Sequence, residues 1–488
     1  MAQLRPAVFG LVVCGAAGVV AATSFGLQMV AALVTVAVAW CVWRFTHASV
    51  FAVATLFVWS GYVLFSRDFA DLHFSIGPLP IYVGEMLLLG ALPWALTRIQ
   101  PSHVARNAFF VALFAWMGYC ALRLLAGGLA YGIDALRDSA IWYYGLFAIV
   151  GYVVWQSLSR SAWMRYFGFL FGALLVLTVA SFASESLDLP LKVPREDVLA
   201  ATLLAAANFF LLALRSARFT ALRLIASSVA IGLMLPLEVR SATVGVLLLM
   251  GIFVVQRRWS TLVAMVAIPS IAFALLAVAN VPLSGRVGGS TAGDLLNRQL
   301  TVISLAIDGR VASNDPALPH DATSGTAVWR YNWWTALIGD TLSTPEKALF
   351  GVGFGTDITW PLGIDQSNAE RPLRSPHNIA VNIFTRTGAL GLGLWLTMLG
   401  TWVWRVLRAI RVDQSADGDY LLWMTTYVVT ILAVALFGVV LEGPFAAIPF
   451  FLLMGMAVRQ AHELVPATEP HVRSAVSSRR LAGVATSG

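Results

Sequence analysis

The stretch SPHNIAVNIFTRTGALGLGLWL, residues 375–396, passes within a few residues from polar loop to long apolar segment. Ser375 is a good helix N-cap and Pro376 suits the first helical position, so the sequence predicts a helix that starts here. The apolar run that follows has about twenty residues, enough to cross roughly 30 Å of hydrocarbon. This boundary therefore predicts a membrane helix that leaves an external loop, with His377 in its first turn.

Apolar stretches of this length recur along the chain. It has 488 residues, of which 59% are hydrophobic and 12% charged, whereas soluble domains carry about a quarter charged residues. The stretches that we identify as spans are centred near residues 15, 35, 57, 88, 116, 148, 174, 206, 229, 249, 270, 393, 430 and 451. The run over residues 222–255 is divided at Arg240. The sequence thus predicts an all-α fold, a polytopic transmembrane helical bundle of about 12–14 spans.

Arginines fall in alternate loops, as they do when basic loops stay in the cytoplasm. The division at Arg240 preserves this alternation, which then places both termini inside. The predicted organisation is N-terminal transmembrane helices over residues 1–280, a large periplasmic loop with short helices over 281–376, C-terminal transmembrane helices over 377–460, and a disordered cytoplasmic tail over 461–488.

The net charge of +7 follows mainly from this orientation signal, with some attraction to anionic membrane lipids, so it requires no nucleic-acid partner. The three cysteines, Cys14, Cys41 and Cys120, lie in apolar stretches and form no CxxC pair. We therefore expect neither a disulfide nor a metal site.

The large external loop contains two local patterns. Residues 327–338, AVWRYNWWTALI, have aromatic and aliphatic side chains at helical spacing, which predicts an amphipathic helix on or near the membrane surface. Residues 349–357, LFGVGFGTD, have glycines at alternate positions, which predicts a tight turn with exposed amides. The turn lacks the Lys-Ser/Thr of a phosphate-binding P-loop, and a plain glycine turn is the alternative.

Ionisable residues at external helix ends are the candidate functional groups. Glu238 and Arg240 interrupt the apolar residues 237–249, where the alternative is a loop arginine that extends to water. His377, at the positive end of a helix dipole and near external arginines, is expected to be neutral and able to accept a proton. Its alternative role is to cap the helix or meet a lipid headgroup. Glu85 lies inside a predicted span, where an ionisable residue is functional by default.

Four motifs in order resemble the bacterial superfamily of O-antigen ligases and O-antigen polymerases, which are integral-membrane glycosyltransferases. The resemblance covers residues 237–396. The motifs are Arg240 with Ser241; Arg330 with Trp334; the turn of Gly351, Gly353 and Gly355; and His377-Asn378 followed by Gly388, Gly391 and Leu392. The chain departs from the family in having Val381 where leucine is common, Arg386 where an acidic residue is common, and arginine before rather than after the serine.

The resemblance implies that the substrate is a glycan on undecaprenyl diphosphate, attacked at its anomeric carbon by an acceptor hydroxyl. His377 would be the general base or would orient the hydroxyl, while Arg240 and Arg330 would stabilise the diphosphate leaving group. The further substrate-binding candidates are Asn378, Trp334, Ser241, Glu238, Gly353 and Gly355. No cofactor is expected, and the external side has no Asp-x-Asp metal motif, so the reaction is expected to be metal-independent.

The resemblance also implies a location in the bacterial inner membrane with the active site on the periplasmic face. Residues 77–89, GPLPIYVGEMLLL, are similar to exopolysaccharide polymerases, which favours polymerisation of repeat units, with a chain-length regulator as a further partner. The alternatives are an O-antigen ligase that uses a lipid A-core acceptor, a related transferase with a protein acceptor, and a flippase for lipid-linked oligosaccharides. The chain shows no internal repeat of the kind that transporters often have, and its singled-out charges gather at one face.

Overall fold

The computed structural model describes residues 49–76, 79–186, 195–213, 220–234, 237, 240–278, 283–285, 288–290, 322–359, 361, 373–413 and 415–465. These segments are mainly α-helical, which confirms the predicted all-α class. In chain order the elements are α1 (Val50–Ala70), β1 (His73–Ile76), β2 (Leu79–Tyr82), α2 (Val83–Leu96), α3 (Pro101–Ala105), α4 (Ala108–Tyr131), α5 (Ile133–Asp138), α6 (Ala140–Tyr144), α7 (Phe147–Val154), α8 (Arg160–Ser186), α9 (Glu196–Asn208), α10 (Thr220–Met234), α11 (Arg240–Val255), α12 (Trp259–Val278), β3 (Leu283–Gly285), β4 (Gly288–Ser290), α13 (Ala322–Thr341), α14 (Pro345–Phe350), α15 (Ile379–Val412), α16 (Ala416–Ala435) and α17 (Pro444–Leu464).

Within the described segments, 7 helices are long and apolar enough to cross a membrane. They are α1, α4, α8, α9 together with its π-helical continuation Phe209–Ala213, α15, α16 and α17. Helices α2, α10 and α11 are apolar but shorter. Every predicted span centre from residue 57 onward falls in a helix, whereas the two predicted spans before residue 48 and the tail from residue 466 lie outside the described residues.

The span predicted near residue 148 is not one continuous helix. Residues 133–157 form α5, α6, α7 and a short 3-10 turn, Trp155–Ser157, and Gly132 separates α4 from α5 with φ 56°. All eight residues of α7 are buried in the protein. Because neighbouring helices rather than lipid surround α7, breaks in its backbone are tolerated at this depth.

The core of the bundle is formed where α7 meets α17. A Cβ atom on Gly151 would collide with the backbone of Leu452, and one on Gly455 would collide with the backbone of Ala148. Small residues on both sides therefore let the two helix backbones approach closely, which is the usual way in which helices associate where water supplies no driving force. Helix α17 also packs on α1, α15 and α16, so it lies at the centre of the bundle.

Ion pairs mark one end of the bundle. Arg160 pairs with Asp417, Arg258 pairs with Asp419 at 2.6 Å, and an Arg405 nitrogen lies 3.1 Å from His462 Nδ1. The three arginines belong to the loops and helix ends that the arginine alternation assigns to a common side. The structure therefore gathers them at one end, while α13, His377 and the start of α9 lie at the other.

Candidate active site

The chain enters α15 through a strained turn at His377. Helix α15 begins at Ile379, and its N-cap is Asn378, whose side-chain oxygen accepts hydrogen bonds from the amides of Ala380 (3.0 Å) and Val381 (3.1 Å). The prediction that Ser375 caps this helix is therefore wrong, because asparagine at the next good cap position satisfies two amides at once. His377 precedes the helix with φ 57°, a left-handed conformation that costs a non-glycine residue about 1–3 kcal/mol.

Ser375 has another role in this turn. Its hydroxyl accepts the His377 amide at 3.3 Å, and it also hydrogen-bonds the carboxylate of Glu442 from the loop between α16 and α17. Ser375 is buried, and so is Pro376. The turn is thus fixed on both sides of the histidine, by Ser375 before it and by the Asn378 cap after it.

Helix α13 covers this turn with aromatic side chains. A helix over residues 327–338 is confirmed and extends over Ala322–Thr341, while its position at the membrane surface stays a prediction. Trp334 Nε1 donates to the Pro376 carbonyl at 2.6 Å, and the rings of Trp329 and Trp333 have their centroids 6.3 and 6.4 Å from that of His377. Because Trp329 and Trp333 are one helical turn apart, both meet the imidazole from the same side.

Arg330 extends from the same helix to the loop after α16. Its Nη1 donates to the Phe437 carbonyl at 2.9 Å, and the ring of Phe437 lies 6.4 Å from that of Trp334. The positive charge of Arg330 also lowers the pKa of His377. Arg330 is one helical turn from Trp334, which contacts the residue before His377. The structure therefore brings together three of the predicted site residues, His377, Arg330 and Trp334.

The His377 ring is held neutral. Burial lowers its pKa from 6.5 to about 4, and the neighbouring Arg330 guanidinium adds to the effect, as does Arg195. The direction of this pKa shift agrees with the expected neutral imidazole, although burial contributes more to the shift than the arginines do. Nδ1 is buried and has no hydrogen-bond partner among the described residues. A neutral ring with a free nitrogen, under aromatic side chains, is suited to bind a polar group of a ligand.

Arg195 is a site residue that the sequence reasoning did not single out. It precedes α9, forms a bidentate pair with Asp197 (2.8 Å from Nε to Oδ1), and its guanidinium lies 5.1 Å from the centre of the Phe445 ring. The sequence signal was present, since VPRED lies at the start of an apolar span, at the end that the arginine alternation assigns to the external side. Arg195 thus adds a cation near His377, partly neutralised by Asp197.

Glu442 is the second residue that the sequence reasoning missed. Its carboxylate accepts a hydrogen bond from Asn382 Nδ2 at 2.9 Å and one from Ser375, and Arg386 lies near. Burial nevertheless raises its pKa from 4.5 to about 7, because those favourable contacts only partly offset the loss of solvation. The signal in the sequence is an acidic residue in LEGPF, between two apolar spans. Glu442 therefore changes charge near neutral pH beside the His377 turn.

Arg240 and its neighbours are only partly described. Arg240 is the first residue of α11 and Ser241 is buried, whereas Glu238 lies outside the described residues. Helix α11 packs on α16, and Arg258, after the end of α11, pairs with Asp419 at the start of α16. The two helices are therefore antiparallel, and Arg240 begins its helix at the end of the bundle where Phe437 contacts Arg330.

The glycine turn is built into the protein interior. Gly351, Gly353 and Gly355 have φ of 72°, 92° and 91°, which confirms a turn that requires glycine. The Gly353 amide donates to the Arg386 carbonyl and the Gly355 amide to Asp138 Oδ2, each at 3.0 Å. The expectation of exposed amides is therefore wrong, because buried backbone donors are paired within the protein. Contact of Gly353 and Gly355 with substrate stays a prediction.

Asp138 organises this region. Its carboxylate accepts from Arg374 Nε at 2.7 Å and lies 2.9 Å from Arg386 Nη2, and Arg386 Nη1 donates to the Thr356 carbonyl at 2.7 Å. Arg386 is thus a buried structural residue whose carboxylate partner, Asp138, is supplied by α5. The pKa of Arg374 is raised, chiefly by its hydrogen bonds to Asp138.

Glu85 has a structural explanation. It is the third residue of α2, and its Oε2 accepts the Tyr82 amide at 2.8 Å, as in a capping box. Its Oε1 accepts hydrogen bonds from the hydroxyls of Tyr143 at 2.7 Å and Tyr144 at 3.1 Å. The carboxylate therefore lies at a helix N-terminus with its oxygens satisfied, so its position in an apolar stretch does not require a catalytic role.

Comparison with known proteins gives no family. No protein-family model matches the chain, and no curated protein matches it. The apolar helices described above decide the class. The chain is a multi-pass membrane protein. No group of three or more metal-ligating side chains occurs in the described part of this membrane protein, and metal independence stays a prediction.

Proposed function

We propose that this membrane protein is a glycosyltransferase of the bacterial inner membrane. It transfers a glycan from undecaprenyl diphosphate to a hydroxyl of an acceptor sugar at the periplasmic face, and so polymerises O-antigen or exopolysaccharide repeat units. The observation that carries the proposal is the neutral His377 ring, with Nδ1 unbonded among the described residues, beside Arg330 and under tryptophans. It supports a reaction in which a polar hydroxyl and an anionic leaving group meet at one place.

The donor's diphosphate is bound by arginine. Arg330 is fixed on α13 by its hydrogen bond to Phe437, Arg195 lies near His377, and Arg240 begins α11 at the same end of the bundle. Guanidinium groups match phosphate oxygens in geometry and stay charged. They stabilise the charge that grows on the diphosphate as the bond to the sugar breaks.

The acceptor oxygen attacks the anomeric carbon and forms the new glycosidic bond. The bond from that carbon to the diphosphate oxygen breaks, and its electron pair leaves with undecaprenyl diphosphate. The acceptor's proton goes to Glu442, because a base with a pKa of about 7 accepts protons well at neutral pH, whereas a histidine with a pKa of about 4 does not. His377 then orients the acceptor hydroxyl through Nδ1. The Ser375 hydroxyl connects the His377 backbone amide to the Glu442 carboxylate.

An O-antigen ligase is the second candidate, since the same chemistry serves a lipid A-core acceptor. The similarity of residues 77–89 to exopolysaccharide polymerases favours polymerisation. The two activities differ only in the acceptor, so an assay that offers each acceptor separately distinguishes them.

The test is transfer by the purified protein in detergent, where transport across a membrane has no meaning. With a labelled glycan on undecaprenyl diphosphate as donor, we expect longer glycans and release of undecaprenyl diphosphate. His377→Ala, at equal amount and equal monodispersity, should form neither product. A wild-type protein that consumes no donor with a glycan or with lipid A-core would contradict the proposal and favour the flippase alternative.

A further inference from the structure

A cavity of about 480 Å³ lies between α4, the C-terminal half of α13, α14 and the glycine turn, with Thr385 of α15 in its wall. Its size lies within the range of about 300–1,000 Å³ that is usual for sites of small ligands. Its lining includes the charged residues Arg123, Asp340, Glu346, Lys347 and Asp357. The cavity is thus polar, in contrast to the mainly apolar lining of most small-molecule sites.

Two buried polar atoms of the cavity wall lack partners among the described residues. They are Nε of Arg123 and the hydroxyl oxygen of Thr385. Arg123 is held in place by a hydrogen bond from Nη2 to the Gly351 carbonyl at 3.2 Å, and Thr385 is 1% exposed. Buried polar atoms are nearly always hydrogen-bonded, so these two are available to a ligand.

The charges of the cavity favour a ligand rich in hydroxyl groups over an anion. Three of the lining residues are carboxylates and two are cations, and Lys347 already pairs with Asp340 at 2.9 Å. A diphosphate would meet more negative than positive side chains there. Sugar hydroxyls both donate and accept, so they can bond to carboxylates and to Arg123 alike, while the Tyr131 ring offers an apolar face.

The cavity shares a wall with the candidate active site. Trp333, whose ring lies 6.4 Å from that of His377, donates from Nε1 to the Ile358 carbonyl at 3.0 Å. Ile358 lines the cavity, and so does Leu337, one helical turn along α13 from Trp333. Trp333 is therefore a common neighbour of the His377 ring and of the cavity wall, and a saccharide has to extend beyond the cavity to bring a hydroxyl to the ring.

We propose that this cavity binds the saccharide of the acceptor and so holds the sugar chain whose hydroxyl reacts near His377. The proposal rests on the transferase function above and adds a site to it. Arg123 and Thr385 bind sugar oxygens, and the carboxylates of the lining accept hydrogen bonds from hydroxyls. The diphosphate of the donor stays with Arg330 and Arg195.

Binding is tested separately from transfer. The probe is the oligosaccharide released by mild acid from the host's lipid-linked glycans, and its binding to the detergent-solubilised full-length protein is measured by calorimetry. We expect Arg123→Gln and the nearly isosteric Thr385→Val each to weaken binding about tenfold, the usual loss for a hydrogen bond to a polar or charged group. Leu337→Trp, which fills the cavity, should abolish binding, and Arg408→Gln, in the opposite half of α15, should leave it unchanged.

Two further measurements separate this proposal from the proposed function. His377→Ala should still bind the oligosaccharide, weakened by no more than about tenfold for the one lost hydrogen bond, while transferring nothing, and inorganic pyrophosphate should not displace the sugar. Equal binding by wild type, Arg123→Gln and Leu337→Trp, or displacement by pyrophosphate, overturns the cavity assignment even if transfer occurs. Binding that depends on the cavity, in a protein without transferase activity, supports the cavity and refutes the transferase.

Discussion

Glu442 and His377 lie on either side of Ser375, and burial moves the pKa of the acid up to about 7 and that of the histidine down to about 4. Both shifts favour the neutral form, which is the common effect of removing a titratable group from water. The two groups thus have separate tasks, since only Glu442 changes protonation in the physiological range.

The pH dependence of transfer should report Glu442. We expect kcat to rise with pH along a limb with an apparent pKa of about 7, because the carboxylate must be ionised to take the proton. Glu442→Gln should lower kcat by about 10²–10⁴-fold and remove this limb. His377→Gln should keep the limb at its position even where it lowers the rate. If kcat instead rises along a limb near pH 4, and this limb disappears only in His377→Gln, then His377 is the base.

The same residue should lower stability at neutral pH. Between pH 4.5 and about 7 the folded protein binds a proton that the unfolded chain has released, so stability falls as pH rises through this window. Glu442→Gln is therefore expected to raise Tm at pH 8 and to raise it less at pH 5. Thermal unfolding in one detergent at both values measures the difference. An equal change at both values would show that the amide alters packing rather than charge.

Arg330 should act through the shape of its guanidinium as well as its charge. Arg330→Ala is expected to lower turnover about a hundredfold, the usual loss for one preorganised donor, and lysine should rescue poorly because it lacks the planar fork. Since Arg330 also bonds Phe437, Tm of each variant has to be compared with that of wild type. Turnover within a few-fold of wild type in the alanine variant would remove Arg330 from the site; the same measurement applies to Arg240.

At the scale of elements, polar bonds hold α13 against the site, and the bond from Trp334 to the Pro376 carbonyl is one of them. Trp334→Phe keeps a ring against Phe437 and removes this bond, so we expect faster amide hydrogen exchange in α13 and a loss of about 0.5–1.5 kcal/mol in its local stability. Exchange measured by mass spectrometry, with α17 as the internal reference, checks this. Unchanged exchange in α13 would show that side-chain packing, and not this hydrogen bond, holds α13 against the His377 turn.

Sequence patterns predicted the elements better than their contacts. Runs of apolar residues located the helices from residue 57 onward, and aromatic spacing located α13, because these signals are local. The start of α15 was missed since three nearby residues, Ser375, Pro376 and Asn378, all suit a helix start and only tertiary contacts choose among them. Asn382 and Ser375 meet Glu442 from about sixty residues away, so no local pattern could reveal its environment.

At the scale of the whole molecule, the arginine alternation predicts that His377, Arg240 and Arg330 face the periplasm. Single cysteines in a cysteine-free background test this, and the structure selects exposed positions: Ser343, after α13, and Ser415, before α16. A membrane-impermeant thiol reagent added to cells with a permeabilised outer membrane should label Ser343→Cys and spare Ser415→Cys. The reverse pattern would invert the topology and place the candidate site in the cytoplasm.

Asp138 belongs to the first third of the chain, yet its partners Arg374 and Arg386 come more than two hundred residues later. During synthesis, α5 therefore emerges with a carboxylate that has no cation to meet until α15 has entered the membrane. A buried carboxylate without a partner is costly, so this end of the bundle reaches its final packing only after α15 has joined it. A chain truncated before Arg374 would lack both of these partners of Asp138.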